Sequence, residues 1–336
     1  MAGISFDLED IMITDVIWSS DQTGNPCSCI NISKDEELVI FSNIPGKLAV
    51  VHASTGSIMH IIEEDFAINQ IASCKFYPCD PNLLLYACKD GFIFTYNIYD
   101  MKAVNMTRHL GTAVTTMAVD PFGETFTIAC ADGSLRIYDI ETMQRVKALV
   151  KYSTQGSSTS STSSQSSIYS LLYHPTDSNV LITSQVKDCL YIWDIRSGAI
   201  ERTIFGPHIR GNGVDIHDNT ILTASYRDSK QIELFDFGSG HRIKEVPISE
   251  FPYADNSRPV FFTTAKFAEN GFDFCVGGPE LNSAYLFDYK RCGMFGRTTQ
   301  FKDYFTCCTL SAFGTMVITG SETGYVSCQL VRIKEK

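Results

Sequence analysis

Ala131-Asp132-Gly133-Ser134-Leu135-Arg136-Ile137-Tyr138-Asp139-Ile140 is the stretch that decides the fold. It opens on Asp-Gly, a pair suited to a tight turn between strands, and runs on as an alternating strand. The strand closes on an aromatic followed by a short polar residue. Lys187-Asp188-Cys189-Leu190-Tyr191-Ile192-Trp193-Asp194-Ile195 repeats the design, and so does Lys89-Asp90-Gly91-Phe92-Ile93-Phe94-Thr95-Tyr96-Asn97-Ile98. Looser copies end at Phe235-Asp236 and Phe287-Asp288, and Val51-His52 and Cys328-Gln329 occupy the same slot near the two ends.

The second residues of these pairs stand at 52, 97, 139, 194, 236, 288 and 329, a spacing of 41 to 55 residues. That period accommodates four short strands per unit. Strand-like runs precede each marker and are split by Pro, Gly and Asp turns. Val114–Val119, Asp120-Pro121-Phe122-Gly123 and Thr125–Cys130 show this within one unit, and Ile168–Tyr173, His174-Pro175 and Val180–Ser184 within the next. Such punctuation predicts an all-β chain, and no long amphipathic helix interrupts it.

These units resemble WD repeats, and the resemblance covers nearly the whole chain. It implies one domain over residues 1–336: a seven-bladed β-propeller with four antiparallel strands per blade. In that family a His, a Ser/Thr, a turn Asp and the marker Trp form a hydrogen-bonded set within a blade. Here Trp193 is the one Trp at a marker position, and the nearest approach to a full set is His208, Ser225 and Asp228, with Phe235 in place of Trp. The last unit offers three strands, so the N-terminal run Ile11–Trp18 is expected to supply the outer strand of the last blade and close the ring.

Two spacings exceed the base period. Ser153–Ser167 holds nine serines, three threonines and no apolar residue, which predicts a mobile loop between blades 3 and 4. The second excess falls in Ile248–Arg258, with a smaller extension at Gly277–Ser283. In a propeller, the links between blades and the turns between second and third strands emerge on one face. Both insertions therefore project there. Lys89, Lys187, His208, Arg210 and Arg227 belong to the same face. They read either as a cationic cluster for acidic or phosphorylated segments or as ordinary solvated turn residues.

Charge and composition narrow the function. A net charge of −11 disfavours direct nucleic-acid binding and suits protein partners. Residues 1–10 carry no basic leader, and no apolar run is long enough to span a bilayer. Phe295-Gly296-Arg297-Thr298 holds a single Arg where lipid-binding propellers carry a pair, so a membrane role is not expected. Twelve scattered cysteines, among them Cys88, Cys130, Cys275 and Cys328 in apolar runs, predict buried free thiols and a reducing interior, cytoplasm before nucleus. Cys27-x-Cys29 and Cys307-Cys308 lack the Cys-x-x-Cys element of a zinc site.

No phosphate-cradling Gly-rich loop and no nucleophile elbow is present, so neither a catalytic centre nor a cofactor is expected. The resemblance implies a scaffold or adaptor that binds protein partners. Two alternatives stay open. Trp193-Asp194-Ile195-Arg196 matches the short box by which WD-repeat substrate receptors dock onto cullin–RING ubiquitin ligase adaptors. An enzyme with its site in the central channel is the other, although the first strands are rich in Ile, Val, Ala, Thr and Cys.

Overall fold

A computed structural model describes residues 12–64, 70–150, 167–185, 188–247, 261–279, 281–300 and 302–331. The Ser-rich stretch through residue 166, Lys187 and residues 248–260 lie outside the described residues, as do the expectations attached to them.

Among the described residues seven sheets form, one per predicted unit, and in blades 1 to 5 the strands run in chain order from the inside outward. The first strands contact one another in sequence, and Phe305–Leu310 of blade 7 meets Cys29–Ile32 of blade 1, so the ring is closed. Strands end on His52, Asn97, Asp139, Asp194, Asp236 and Asp288 as the marker spacing predicts, and the last third strand runs one residue past Gln329, to Leu330.

Burial follows position in the blade. The second strand Thr125–Cys130 is buried on both sides from Phe126 onward because a neighbouring blade covers each face. The outer strand Arg242–Glu245 is exposed throughout. Seven apolar clusters form, one at each junction between consecutive blades. Blade 3 to blade 4 is typical, with Leu135, Ile137 and Leu149 packed on Leu171, Leu181 and Trp193. The core is thus a ring of interfaces, and each blade is held by its two neighbours.

The N-terminal run closes the ring, with one refinement. It splits into β1 (Met12–Ile13) and β2 (Asp15–Ser19). Only β2 forms the outer strand of blade 7, antiparallel to Val326–Leu330 with Trp18 opposite Cys328. β1 instead adds a fifth, parallel strand to blade 6, with Met12 opposite Gly296. Gly296 permits this, since a Cβ there would lie 3.2 Å from Met12 atoms. Between them, Thr14 Oγ1 donates to Gln329 Oε1 at 2.6 Å, and the Thr299 amide donates to the same oxygen at 2.9 Å. Trp18 Nε1 donates to the Ala53 carbonyl of blade 1 at 2.7 Å, so one segment ties blades 6, 7 and 1 together.

Candidate interaction faces

Antiparallel strands turn alternately at the two ends of a blade, which gives the ring two faces. One face carries the first-to-second and third-to-fourth strand turns. The other carries the second-to-third turns and the links between blades.

The first face is regular. The marker carboxylate or amide caps the turn that follows it: Asn97 Oδ1 accepts from the Asp100 amide at 2.9 Å, and Asp139, Asp194, Asp236 and Asp288 do the same for Thr142, Arg196, Ser239 and Arg291 at 2.6–2.9 Å. This is why the slot takes a short polar residue. Hydrogen bonds from Thr142 to Asp139, from the Arg196 amide to Asp194 and from Ser239 to Asp236 hold these carboxyls below their ordinary range. Four residues past the marker, Gly56, Met101, Met143, Gly198, Gly240 and Cys292 all adopt left-handed backbone, with φ between 50° and 74°.

The turns are also locked from outside. Asn105 donates to the Glu141 carbonyl at 3.1 Å and Lys147 to those of Ile195 and Arg196 at 2.6 and 2.8 Å. Arg202 donates to the Gly238 carbonyl, and Lys244 to that of Arg291 at 3.1 Å. In each case an outer-strand side chain of one blade satisfies a turn of the next. Trp193, Asp194 and Arg196 belong to this face. Trp193 is buried, with its Nε1 donating to Thr183 Oγ1 at 3.0 Å. Arg196 is exposed and folds back on Asp194 at 3.2 Å.

The second face is irregular. Among the described residues, Lys89 stands between blades 2 and 3, apart from His208, Arg210 and Arg227. Between blades 2 and 3, Lys89, Asp90, Arg108 and the 109–113 link line a cleft of about 350 Å³. Lys89 Nζ donates to Gln70 Oε1 at 2.5 Å, and the Arg108 guanidinium sits 4.3 Å over the Phe92 ring. Leu110 is exposed beside them. Gly91 is required at the cleft edge, because its φ is +95° and a Cβ would lie 1.9 Å from the His109 carbonyl oxygen.

Between blades 4 and 5, the structure brings His208, Arg210 and Arg227 together. His208 Nδ1 pairs with Asp188 Oδ1 at 2.5 Å, and the His208 carbonyl accepts from the Tyr226 amide at 2.7 Å. The Arg210 guanidinium lies 5.0 Å over the Tyr226 ring, which stacks in turn on Phe261 at 4.3 Å. Arg227 is committed inward. It donates to the carbonyls of Gly206 and Lys230, and it pairs with Glu233, a carboxylate only 2% exposed that Arg242 holds from the other side at 2.8 Å.

Two features escape the sequence reading. In blade 3, buried His109 places Nδ1 3.2 Å from the Tyr138 hydroxyl and Nε2 3.7 Å from Cys130 Sγ. Burial depresses its basicity. This is the intra-blade set that His208 was expected to provide; the His208 ring turns instead to Asp188 of the preceding blade, and only its amide reaches Ser225, at 3.3 Å. The signal was a His five residues before Val114, with Tyr replacing Trp. Along the axis, the first strands carry Lys75, Asp215 and Lys266. Lys266 Nζ lies 3.1 Å from Asp215, which also accepts the Phe267 amide at 2.8 Å. Burial lowers the basicity of Lys75, with Lys266 adding to the effect; for Lys266 burial acts the same way, but the charge and hydrogen bond of Asp215 outweigh it. Among the described residues no group of three or more His, Cys, Asp or Glu could hold a metal ion. No helix of the described residues is long and apolar enough to cross a membrane.

Comparison with known proteins agrees with the architecture. The model of the WD domain, G-beta repeat family matches residues 102–139. That match begins on the outer strand of blade 2 and ends with the third strand of blade 3, so the sequence repeat is out of phase with the blade. The WD repeat-containing protein 91 homolog of Dictyostelium discoideum is 21% identical over 172 residues, 48% of this chain and 22% of that protein. The chain therefore matches about a fifth of the length of this curated relative. A chain in a crystal structure of the mitotic checkpoint complex superposes with a TM-score of 0.79 at 14% identity, covering 99% of this chain and 97% of that one. Seven blades among the described residues, the repeated marker strand and the match of one repeat to that family model support a WD-repeat β-propeller family, with no specific member singled out.

Proposed function

We propose that this propeller is a non-catalytic scaffold or adaptor, inside the cell and in the cytoplasm before the nucleus, that docks acidic or phosphorylated segments of protein partners on its irregular face. The observation that carries the reading is the pairing of exposed cations with apolar surface there. Lys89 and Arg108, with Asp90, line a cleft beside exposed Leu110, and the Arg210 guanidinium lies over the ring of Tyr226, which stacks on Phe261. Cations held by neighbouring side chains lose little freedom when an anionic group arrives, and guanidinium groups take carboxylate or phosphate in two-pronged fashion. The propeller chain in the checkpoint-complex structure supports a role within assemblies by likeness of fold.

Arrays of acidic, phosphoserine and phosphothreonine peptides test this reading. Wild-type protein is expected to bind a subset with affinity that falls as salt rises. The K89E/R108E/R210E variant is expected to lose that binding while unfolding at the same temperature. Binding untouched by the triple variant, or no preference for anionic peptides, overturns it.

A second reading rests on Arg196. Its side chain is 73% exposed on the opposite face, beside buried Trp193, as docking onto a ubiquitin-ligase adaptor requires. That reading predicts that R196E, not the K89E/R108E/R210E variant, abolishes capture of an adaptor.

A further inference from the structure

Blade 7 is assembled from both ends of the chain, and its inner strand Phe305–Leu310 is flanked by thiols on both sides. Cys307 and Cys308 are successive strand residues, so their side chains point to opposite faces. Cys307 meets blade 1: its Sγ lies 3.7 Å from Cys27 Sγ and donates to the Cys27 carbonyl at 3.5 Å. Cys308 meets blade 6, with its Sγ 3.3 Å from Cys275 Sγ. All four are free thiols. Gly320 makes the first meeting possible, because a Cβ there would lie 2.7 Å from Cys27 Sγ and 3.0 Å from Cys307 Sγ.

Access separates the two pairs. Cys275 and Cys308 are both buried, whereas Cys307 is partly exposed and Cys27 lies buried behind it. Burial, with the hydrogen bond from Cys307, pushes the Cys27 thiol well up and keeps it protonated. The partly exposed sulfur is then the one that meets a small oxidant first. We propose that Cys27 and Cys307 form a hydroperoxide-responsive disulfide that clasps the two ends of the chain across the ring closure.

The chemistry balances with one peroxide. The Cys307 thiolate attacks the O–O bond, giving a sulfenic acid and hydroxide, which takes up a proton to become water. Cys27 sulfur then attacks the sulfenic sulfur. The S–S bond forms, the S–O bond breaks, and the departing hydroxide leaves as water with the Cys27 proton. The protein is oxidised by two electrons and the peroxide reduced by two. The sulfurs need close only from 3.7 Å to a bonded separation of about 2 Å. The bond would link positions 280 residues apart and so constrain most of the unfolded chain.

The test treats the full-length protein with stoichiometric hydrogen peroxide, blocks remaining thiols, and maps the products by mass spectrometry without reduction. The expected product is a peptide pair joining Cys27 to Cys307, with Cys275 and Cys308 recovered as thiols despite their shorter separation. The unfolding midpoint rises by roughly 5 °C or more and returns on addition of dithiothreitol. C27S and C307S, with reduced-state midpoints matching wild type, lose both the cross-link and the rise. Cys307 recovered as a thiol or as a sulfinic acid, or joined to any other cysteine, overturns the proposal. The wild-type map decides this even if a serine variant fails to fold.

Discussion

The two faces of this ring are made from the same seven blades, yet they are built by different rules. On the regular face, one turn design recurs: a marker Asp or Asn caps the turn, a left-handed residue follows four positions on, and the next blade back lends a cation or amide to the turn carbonyls. The turn amides and carbonyls named above are answered there by other groups of the ring. On the irregular face the links differ in length and the cations differ in task. Arg227 is spent inside the protein, while Lys89, Arg108 and Arg210 stand at the surface. Residue type alone therefore does not separate a surface cation from a structural one. What separates them is whether a buried opposite charge has claimed the side chain.

The largest effect on stability is expected at Arg227. Removing its guanidinium leaves Glu233 buried with Arg242 as its remaining partner, so R227A is expected to cost about 2 kcal/mol in denaturant unfolding. A neutral result would return Arg227 to the surface group. On the regular face, Asp139→Ala removes the acceptor for both the Thr142 amide and hydroxyl, and a loss of about 1 kcal/mol is expected by the same measurement.

Asp273, also on the regular face, sharpens the contrast through pH. Burial, helped by the charge of Asp288 opposite it, pushes its carboxyl up to about 6. In the unfolded chain the group ionises near pH 4, so between roughly pH 4 and 6 the folded state binds more protons. Its contribution is favourable at the acid end of that window and is lost as pH rises through 6. Asp273→Asn is therefore expected to add about 1 kcal/mol at pH 7, after allowance for screening, and to flatten the dependence over that window. Equal slopes for variant and wild type would contradict the assignment.

A smaller effect is expected at Met101, an exposed non-glycine residue held at φ 52°. Met101→Gly should stabilise by about 0.5 kcal/mol, since relief of left-handed strain exceeds the added freedom of the unfolded chain. The smallest stability effect belongs to Lys89→Ala and Arg210→Ala, each within about 0.5 kcal/mol of wild type.

What the sequence made legible follows from what is local. A period-2 strand ending in Asp writes its own turn, so the markers at Asp139 and Asp194 located strand ends directly. The blade count followed from their spacing. What stayed hidden depends on contacts between residues far apart in the chain. Glu233 sits in an alternating strand like any solvated acid, and only the neighbouring turn and outer strand reveal it as buried between two arginines. Lys75 and Lys266 converge on the axis from blades 2 and 6. The N-terminal run looked like one strand because Met12 and Val16 are equally apolar. Its division at Thr14 is set by Gln329, more than three hundred residues away. The site residues were partly legible for the same reason: a turn position predicts which face a cation lies on, but not whether an internal partner has taken it.

Docking of partners on the irregular face is tested by quantitative affinity capture with three baits: wild type, the K89E/R108E/R210E variant and R196E. Specific partners of the wild type are expected to disappear from the triple variant and persist with R196E. Loss with R196E and retention by the triple variant would contradict it and move binding to the regular face.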